Sequence, residues 1–403
     1  MQFCKLHPQE VILEQPALLA LEDGSVFKGR AFGAYPPNGT SHYVLGEVVF
    51  NTALTGYQEV MTDPSYSNQL IAFTYPHIGN VGINKSDFES QHVQAAGLIV
   101  ARTPTSPSNW QSISSLNDFL IKSNKIGIAE IDTRALTQLI REKGALKGCL
   151  YTANQLTTQD ELKAIKLAQA FEGLEGKNLA QLVSTQNAFQ WEEGLWQQEI
   201  KSSLPLSHVV VYDFGAKSSI LRSLKHLNCN IKVVPAHTPA HIVLEQNPDG
   251  VLFSNGPGDP AACHQEIQII KKFLEHRVPL FGICLGFQLL ALASGARTIK
   301  MKFGHHGTNH PVKEIETGQV LITSQNHGFA VDADSLGSEW ISTHYSLFDN
   351  TLQGFKHKKR HIMGFQGHPE AGPGPNEGRI LFNQFKLMMN NYSHAKKLNE
   401  VAN

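Results

Sequence analysis

The sequence predicts an α/β protein in two parts: a C-terminal, doubly wound, mainly parallel sheet and a separate N-terminal α+β domain. Three observations carry this. From His208 onward, short apolar strands alternate with helical patterns. At Val278–Ala293 a buried strand meets a sharp turn at Cys284 and then a helix. Residues 17–150 instead mix hairpin and strand patterns with polar, glycine-rich stretches. The expected bounds are an N-terminal extension at 1–16, the α+β domain at 17–189, a linker at 190–206 and the second domain at 207–395.

A chain of 403 residues suffices for two or three domains with ample core. Its 34 basic and 35 acidic residues leave a formal charge of −1, so no nucleic-acid partner is expected. Cys4, Cys149, Cys229, Cys263 and Cys284 are scattered without a CxxC pair, which fits free thiols in a reducing compartment. Residues 1–16 lack the apolar core of a signal peptide, and no apolar run reaches membrane-spanning length. A soluble, cytoplasmic protein is expected.

In chain order, Leu18–Leu21 and Ser25–Lys28 flank Glu22-Asp23-Gly24 as a hairpin, and Val44–Phe50 is a further strand. Asn51–Ser67 and Thr74–Gly82 are too polar and glycine-rich for core, so they read as a functional surface; the plainer alternative is a long loop. Ile131–Gly144 is a helix with Asp132 or Thr133 as cap, Leu136, Leu139 and Ile140 on one face, and Gly144 as stop. A helix near Gln159–Ala170 precedes the linker. The second domain offers strands at His208–Asp213, Asn230–Val234, Gly250–Phe253 and Val278–Ile283. Thr238 and Pro239 read as the cap and first residue of an intervening helix. Residues 298–370 are strand-rich. In such folds sites lie at the strands' carboxyl ends, where Asp213–Lys217, Ser254–Asp259 and Cys284 all fall.

Gly282 and Gly286 flank Cys284 at i−2 and i+2, the spacing of a nucleophile elbow whose crowding only glycine tolerates. There the sulfur is presented at a strand end, the helix N-terminus favours thiolate, and the Leu285 N–H faces a forming oxyanion. The alternative is that Cys284 is simply a small buried hydrophobe. A thiol nucleophile needs a base, and the base needs a partner to hold its tautomer. His368 and Glu370 supply those roles; if the strand that begins near Ile362 continues through them, its period of two puts both on one face. Gly256-Pro-Gly258 superficially resembles a dinucleotide loop, but Pro257 and Pro260 remove the N–H groups a phosphate cradle needs. It fits better as a rigid turn whose Gly256 N–H completes an oxyanion hole with Leu285. His305, His306 and His310 have no cysteine or carboxylate at ligand spacing, so no metal is expected.

Gly282–Gly286 with His368-Pro-Glu370 resembles the triad-type (class I) glutamine amidotransferases. Thr55–Glu59, Thr62–Ser67, Thr74–Asn80, Ile131–Arg134, Asp213–Lys217 and Phe303–Gly307 further resemble the small-subunit family of the carbamoyl-phosphate synthetases, a likeness running from about Leu18 to Phe385. The resemblance implies L-glutamine hydrolysis through a γ-glutamyl thioester, with Cys284 as nucleophile, His368 as base and Glu370 as its partner. It implies glutamine contacts at Ser65, Gly256, Gly258, Leu285, Gln288, Asn326, Gly328 and Phe329. It also implies ammonia delivery to a large subunit that carries ATP and Mg, for arginine biosynthesis, pyrimidine biosynthesis or both, with no cofactor in this chain. Phe287 departs from the family's usual histidine, which puts tuning of the thiol or coupling to the partner in question. Two rivals remain: the glutaminase of another biosynthetic complex, and a catalytically silent scaffold.

Overall fold

The structure, a computed structural model, describes residues 15–36 and 40–402. Residues 1–14, most of the expected extension, and with them Cys4, lie outside the described residues. Gln15 and Pro16 already belong to the first strand, opposite Ala31 and Arg30.

The N-terminal unit is a closed barrel among the described residues: β1 (Gln15–Leu21), β2 (Val26–Gly33), β3 (His42–Asn51), β4 (Gln69–Phe73), β5 (Gly97–Ile99), β6 (Ile126–Ala129) and β7 (Leu146–Thr152), in the order β1-β2-β6-β5-β4-β3-β7. Around it lie α1 (Tyr57–Thr62), α2 (Leu116–Lys122), α3 (Thr133–Lys143) and α4 (Thr158–Ala170). β1 is apolar at every position from Ala17 because both its faces are covered. Ala17, Leu19 and Leu21 join a cluster to which all the barrel strands contribute, while Leu18 and Ala20 pack with Cys149, Tyr151, Ala164 and Ala168. Of the two possible caps for α3, Asp132 takes the role, accepting the Ala135 N–H at 2.8 Å. Gly144 ends that helix at φ +100°, where a Cβ would come within 2.8 Å of the Lys302 carbonyl oxygen of the second unit.

The second unit is a mixed sheet: β8 (Phe189–Trp191), β9 (Ser207–Asp213), β10 (Cys229–Pro235), β11 (Gly250–Phe253), β12 (Leu280–Ile283), β13 (Thr298–Glu314), β14 (Val320–Val331), β15 (Trp340–Ser346), β16 (Leu352–His357) and β17 (Ile362–Phe365). The central run β10-β9-β11-β12-β17 is parallel, and β16, β15, β13 and β14 extend it antiparallel. Alternate residues of β9 serve opposite layers. Val210 and Tyr212 pack towards α7 (Ala240–Leu244), α8 (His264–Leu274) and α9 (Leu285–Ala293), and Val209 and Val211 towards α6 (Ser218–His226) and α10 (Ile380–Ala402). That is the doubly wound arrangement, and its strand order reverses between β9 and β11, where such folds place their sites.

Three local expectations shift. The stretch read as a linker from Gln190 opens inside β8, an edge strand paired antiparallel with β10. β12 starts at Leu280, because Pro279 has no N–H for the ladder, though its carbonyl accepts the Val251 N–H at 2.9 Å. Thr238 does not cap α7: its N–H donates to Pro235 and its carbonyl accepts the Tyr212 hydroxyl, so Pro239 stays extended and the helix begins at Ala240. No helix among the described residues is long and apolar enough to cross a membrane.

Candidate active site

β12 ends at Ile283 and α9 begins at Leu285, so Cys284 alone makes the turn. Its backbone sits at φ 52°, ψ −104°, strained for a residue with a side chain. The strain is held because the flanking positions carry no Cβ. A methyl at Gly286 would run into the Phe253 carbonyl, and one at Gly282 would come within 2.6 Å of the Gly286 carbonyl. The Cys284 N–H is fixed to the Phe365 carbonyl at 2.9 Å, and its sulfur lies 3.6 Å from the Asn326 carbonyl oxygen and 3.8 Å from the Gln366 amide nitrogen.

His368 and Glu370 do meet, but not by strand periodicity. β17 stops at Phe365; His368 makes one isolated bridge to Ser324, and Glu370 lies in the following turn. The turn closes the His368 Nδ1–H on the Glu370 carboxylate at 2.7 Å, and His368 Nε2 is left without a partner among the described residues. Both side chains are buried, and so is Lys217, whose Nζ sits 3.0 Å from Glu370 and donates to the Ala371 carbonyl at 2.6 Å. Glu89 of the barrel unit stands 4.0 Å from the same ammonium. Burial would raise the Glu370 pKa, but Lys217 and His368 carry it down to about 2. Burial would lower the His368 pKa, yet the Glu370 carboxylate, with a smaller contribution from the Cys284 sulfur, lifts it to about 10. The imidazole is therefore held as imidazolium at neutral pH.

One cavity gathers Cys284 with Ser65, Gly256, Gly258, Gln288, Asn326, Gly328 and Phe329; Leu285 stands beside it at the first turn of α9. Gly256 lies so close to the Phe214 carbonyl that any Cβ would collide with it. Neither its N–H nor that of Leu285 has an acceptor among the described residues. Gln288 spends its amide N–H groups on the Phe329 carbonyl (2.8 Å) and on Gln366 (3.0 Å), which leaves its oxygen as an acceptor. Asn326 is held from two sides, by His306 at 2.8 Å and by Asp63 at 3.3 Å. Asp63 also receives the Ser65 N–H and Asn255, so the stretch from Asn51 to Ser67 is not a free loop. Nor does it stay out of the core as its composition suggests: Tyr57, Val60, Met61 and Tyr66, with Ile78 of Thr74–Gly82, are buried in one apolar cluster, because α1 turns its apolar side chains inward between the polar ones. Sequence reasoning missed Lys217, Asp63, Asn255, His306 and Gln366 as site residues. Lys217, Asp63, Asn255 and His306 carried a signal, since all four lie in stretches already marked. Phe287 is fully buried, its ring stacked on that of Phe355 with centroids 4.7 Å apart.

His305, His310 and His327 pack against one another, and His305 Nε2 also meets the Asp349 carboxylate at 2.9 Å. His305 lies 5.0 Å, centroid to centroid, from both His310 and His327, and one ring nitrogen on each is buried without a partner. No three His, Cys, Asp or Glu side chains among the described residues are arranged to hold a metal ion. Burial lowers the pKa of His306 to about 4 and of His310 to about 3, and pushes that of His327 well down. Unfolding below pH 6.5 therefore takes up protons that the folded chain refuses, and stability intact above 6.5 should fall as pH drops towards 4. For the three histidine protons alone the slope is roughly 4 kcal/mol per pH unit at its steepest, and Glu59, raised to about 8 by burial, offsets about one of them. Urea midpoints between pH 7.5 and 5 check this, and His310→Leu should remove about a third of the histidine part of the slope. A pH-independent midpoint would refute it.

The family model described as glutamine amidotransferase class-I matches residues 210–388, and that described as carbamoyl-phosphate synthase small chain, CPSase domain, matches residues 19–150. The carbamoyl phosphate synthase small chain of Salmonella typhimurium is 52% identical over 389 residues, covering 94% of this chain and 99% of that one. That of Vibrio cholerae is 52% identical over 380 residues, covering 93% and 98%. That of Escherichia coli K12 is 51% identical over 388 residues, covering 94% and 99%.

Proposed function

Because this chain belongs to the carbamoyl phosphate synthase small-chain family, we propose that Cys284, His368 and Glu370 act as its glutamine-hydrolysing triad. The observation that carries the reading is the His368–Glu370 pair at 2.7 Å, with Nε2 left without a hydrogen-bond partner among the described residues and the strained Cys284 elbow beside it. The Cys284 sulfur, as a thiolate whose proton already rests on His368, attacks the amide carbon of L-glutamine, and the oxyanion is met by the Leu285 and Gly256 N–H groups. His368, held protonated by Glu370, gives its proton to the departing ammonia. It then accepts one from the water that hydrolyses the γ-glutamyl thioester to glutamate. Ser65, Gly258, Gln288, Asn326, Gly328 and Phe329 hold the substrate, with the Gln288 oxygen accepting from a substrate N–H.

Ammonia passes to a large subunit that binds ATP and Mg and makes carbamoyl phosphate for arginine biosynthesis, pyrimidine biosynthesis or both. Cys149, Cys229, Cys263 and Cys284 are all free, which suits the reducing cytoplasm as the working compartment. Releasing ammonia without an acceptor would be wasteful, so the isolated chain should hydrolyse glutamine slowly and speed up when the large subunit is added. Glutamate release measured with and without that partner tests this. An isolated chain already at full rate would contradict the coupling, and no release in either case would favour a silent scaffold.

A further inference from the structure

We propose that the strap formed by residues 173–178, between α4 and α5 (Ala180–Val183), is the closing wall of the glutamine pocket, with Leu174 as its substrate-contacting side chain. The proposal rests on the glutaminase reading above and assigns that site a residue outside its motifs. Leu174 is 6% exposed and lines the same cavity as Cys284, Gly258 and Phe329. Much of the remaining lining is polar, whereas glutamine carries two methylene groups between its amide and its head group. Leu174 supplies an aliphatic surface for them.

The strap is fastened to the loop that follows β11. The Asp259 N–H donates to the Lys177 carbonyl at 3.0 Å, and the Asp259 carboxylate accepts the Gly176 N–H at 2.9 Å and the Ala261 N–H at 2.9 Å. Gly258, at φ +97°, leaves no room between the two: a Cβ there would come within 2.6 Å of the Lys177 oxygen and 2.9 Å of the Leu179 nitrogen. At the end of the strap Asn178, and beyond it Gln181, donate to the fully buried Glu266 at 3.1 and 2.9 Å. Gly173 and Gly176, at φ +83° and +74°, shape the turn that carries Leu174 inward, closed by the Lys177 N–H on the Leu174 carbonyl at 3.2 Å. One latch residue, Asp259, thus sets both the position of Leu174 and that of the Gly256–Gly258 backbone.

The test uses the reconstituted two-subunit enzyme, with glutamine hydrolysis and ammonium-supported carbamoyl phosphate synthesis read in parallel. Leu174→Ala should raise the glutamine KM about tenfold, the low end for removing apolar contact from a small-substrate pocket, with kcat changed less than about threefold. Leu174→Met should restore KM to within about twofold, since it conserves volume. Asp259→Asn should raise KM as well, and the double variant should be within about twofold of the worse single one, because both act through one wall. Ammonium-supported synthesis should not move. An unchanged KM in Leu174→Ala, or kcat and ammonium-supported synthesis falling together, would overturn the proposal. A wild-type enzyme that releases no glutamate would sink the glutaminase reading itself, and this wall with it.

Discussion

Replacing Cys284 by serine is expected to abolish glutamine-supported carbamoyl phosphate synthesis in the reconstituted complex while ammonium-supported synthesis survives. The hydroxyl fits the elbow, since the space is set by Gly282 and Gly286 and not by the sulfur. The backbone at φ 52° is tied by the Cys284 N–H to Phe365, and that hydrogen bond is independent of the side chain. What changes is nucleophilicity: a serine hydroxyl beside an imidazole already held as imidazolium finds no base to take its proton. The loss should be at least about 10⁴-fold in glutamine turnover, the scale on which removal of a nucleophile is felt. If ammonium-supported synthesis fell equally, Cys284 would be a structural residue and the triad assignment would fail.

The second large effect separates His368 from Glu370. His368→Asn removes the group that carries protons to ammonia and from water, and should cost at least about 10³-fold in kcat. Glu370→Gln should be milder, roughly 10–10²-fold, because a glutamine oxygen can still accept the His368 Nδ1–H and only the charge is lost. The charge nevertheless has two further consequences. Without it the His368 pKa should fall from about 10, so the alkaline limb of the glutaminase pH profile should move to lower pH in Glu370→Gln. Lys217 also loses its nearest counter-charge and keeps only the more distant Glu89, 4.0 Å away, and Asp63 among the described residues; losing one member of a buried pair typically costs about 3–5 kcal/mol. Turnover at saturating glutamine, a pH profile and a denaturation curve for each variant check all three statements. A Glu370 variant as inactive as the His368 variant, yet fully stable and with an unmoved alkaline limb, would show that the carboxylate does more than orient and charge the ring.

The elbow was legible because its causes are local. Two glycines and a cysteine at fixed spacing, between an apolar strand and an apolar helix, leave the backbone few options. The same holds for the α3 cap and the Gly144 stop, though choosing Asp132 over Thr133 required the geometry. His368-Pro-Glu370 was legible as a pair but for an incomplete reason. The two meet through a turn after β17, and a strand period would have put them on one face without closing a 2.7 Å hydrogen bond.

By itself, the sequence located the four strands from His208 to Ile283 and the elbow at Cys284 between its two glycines. These depend on contacts within a few residues, where sterics and side-chain period act directly. Only the tertiary structure decided what surrounds the triad. Lys217 reaches Glu370 from the loop after β9, and Glu89 reaches Lys217 from the barrel. Asp63 reaches Asn326, and Leu174 reaches the cavity of Cys284, across the junction of the two units. A barrel closes, and a buried lysine finds its carboxylates, only when chain segments far apart in sequence are packed together. The free energy of such contacts lies in removing charge and apolar surface from water jointly, and no local pattern records which partners will share that burial.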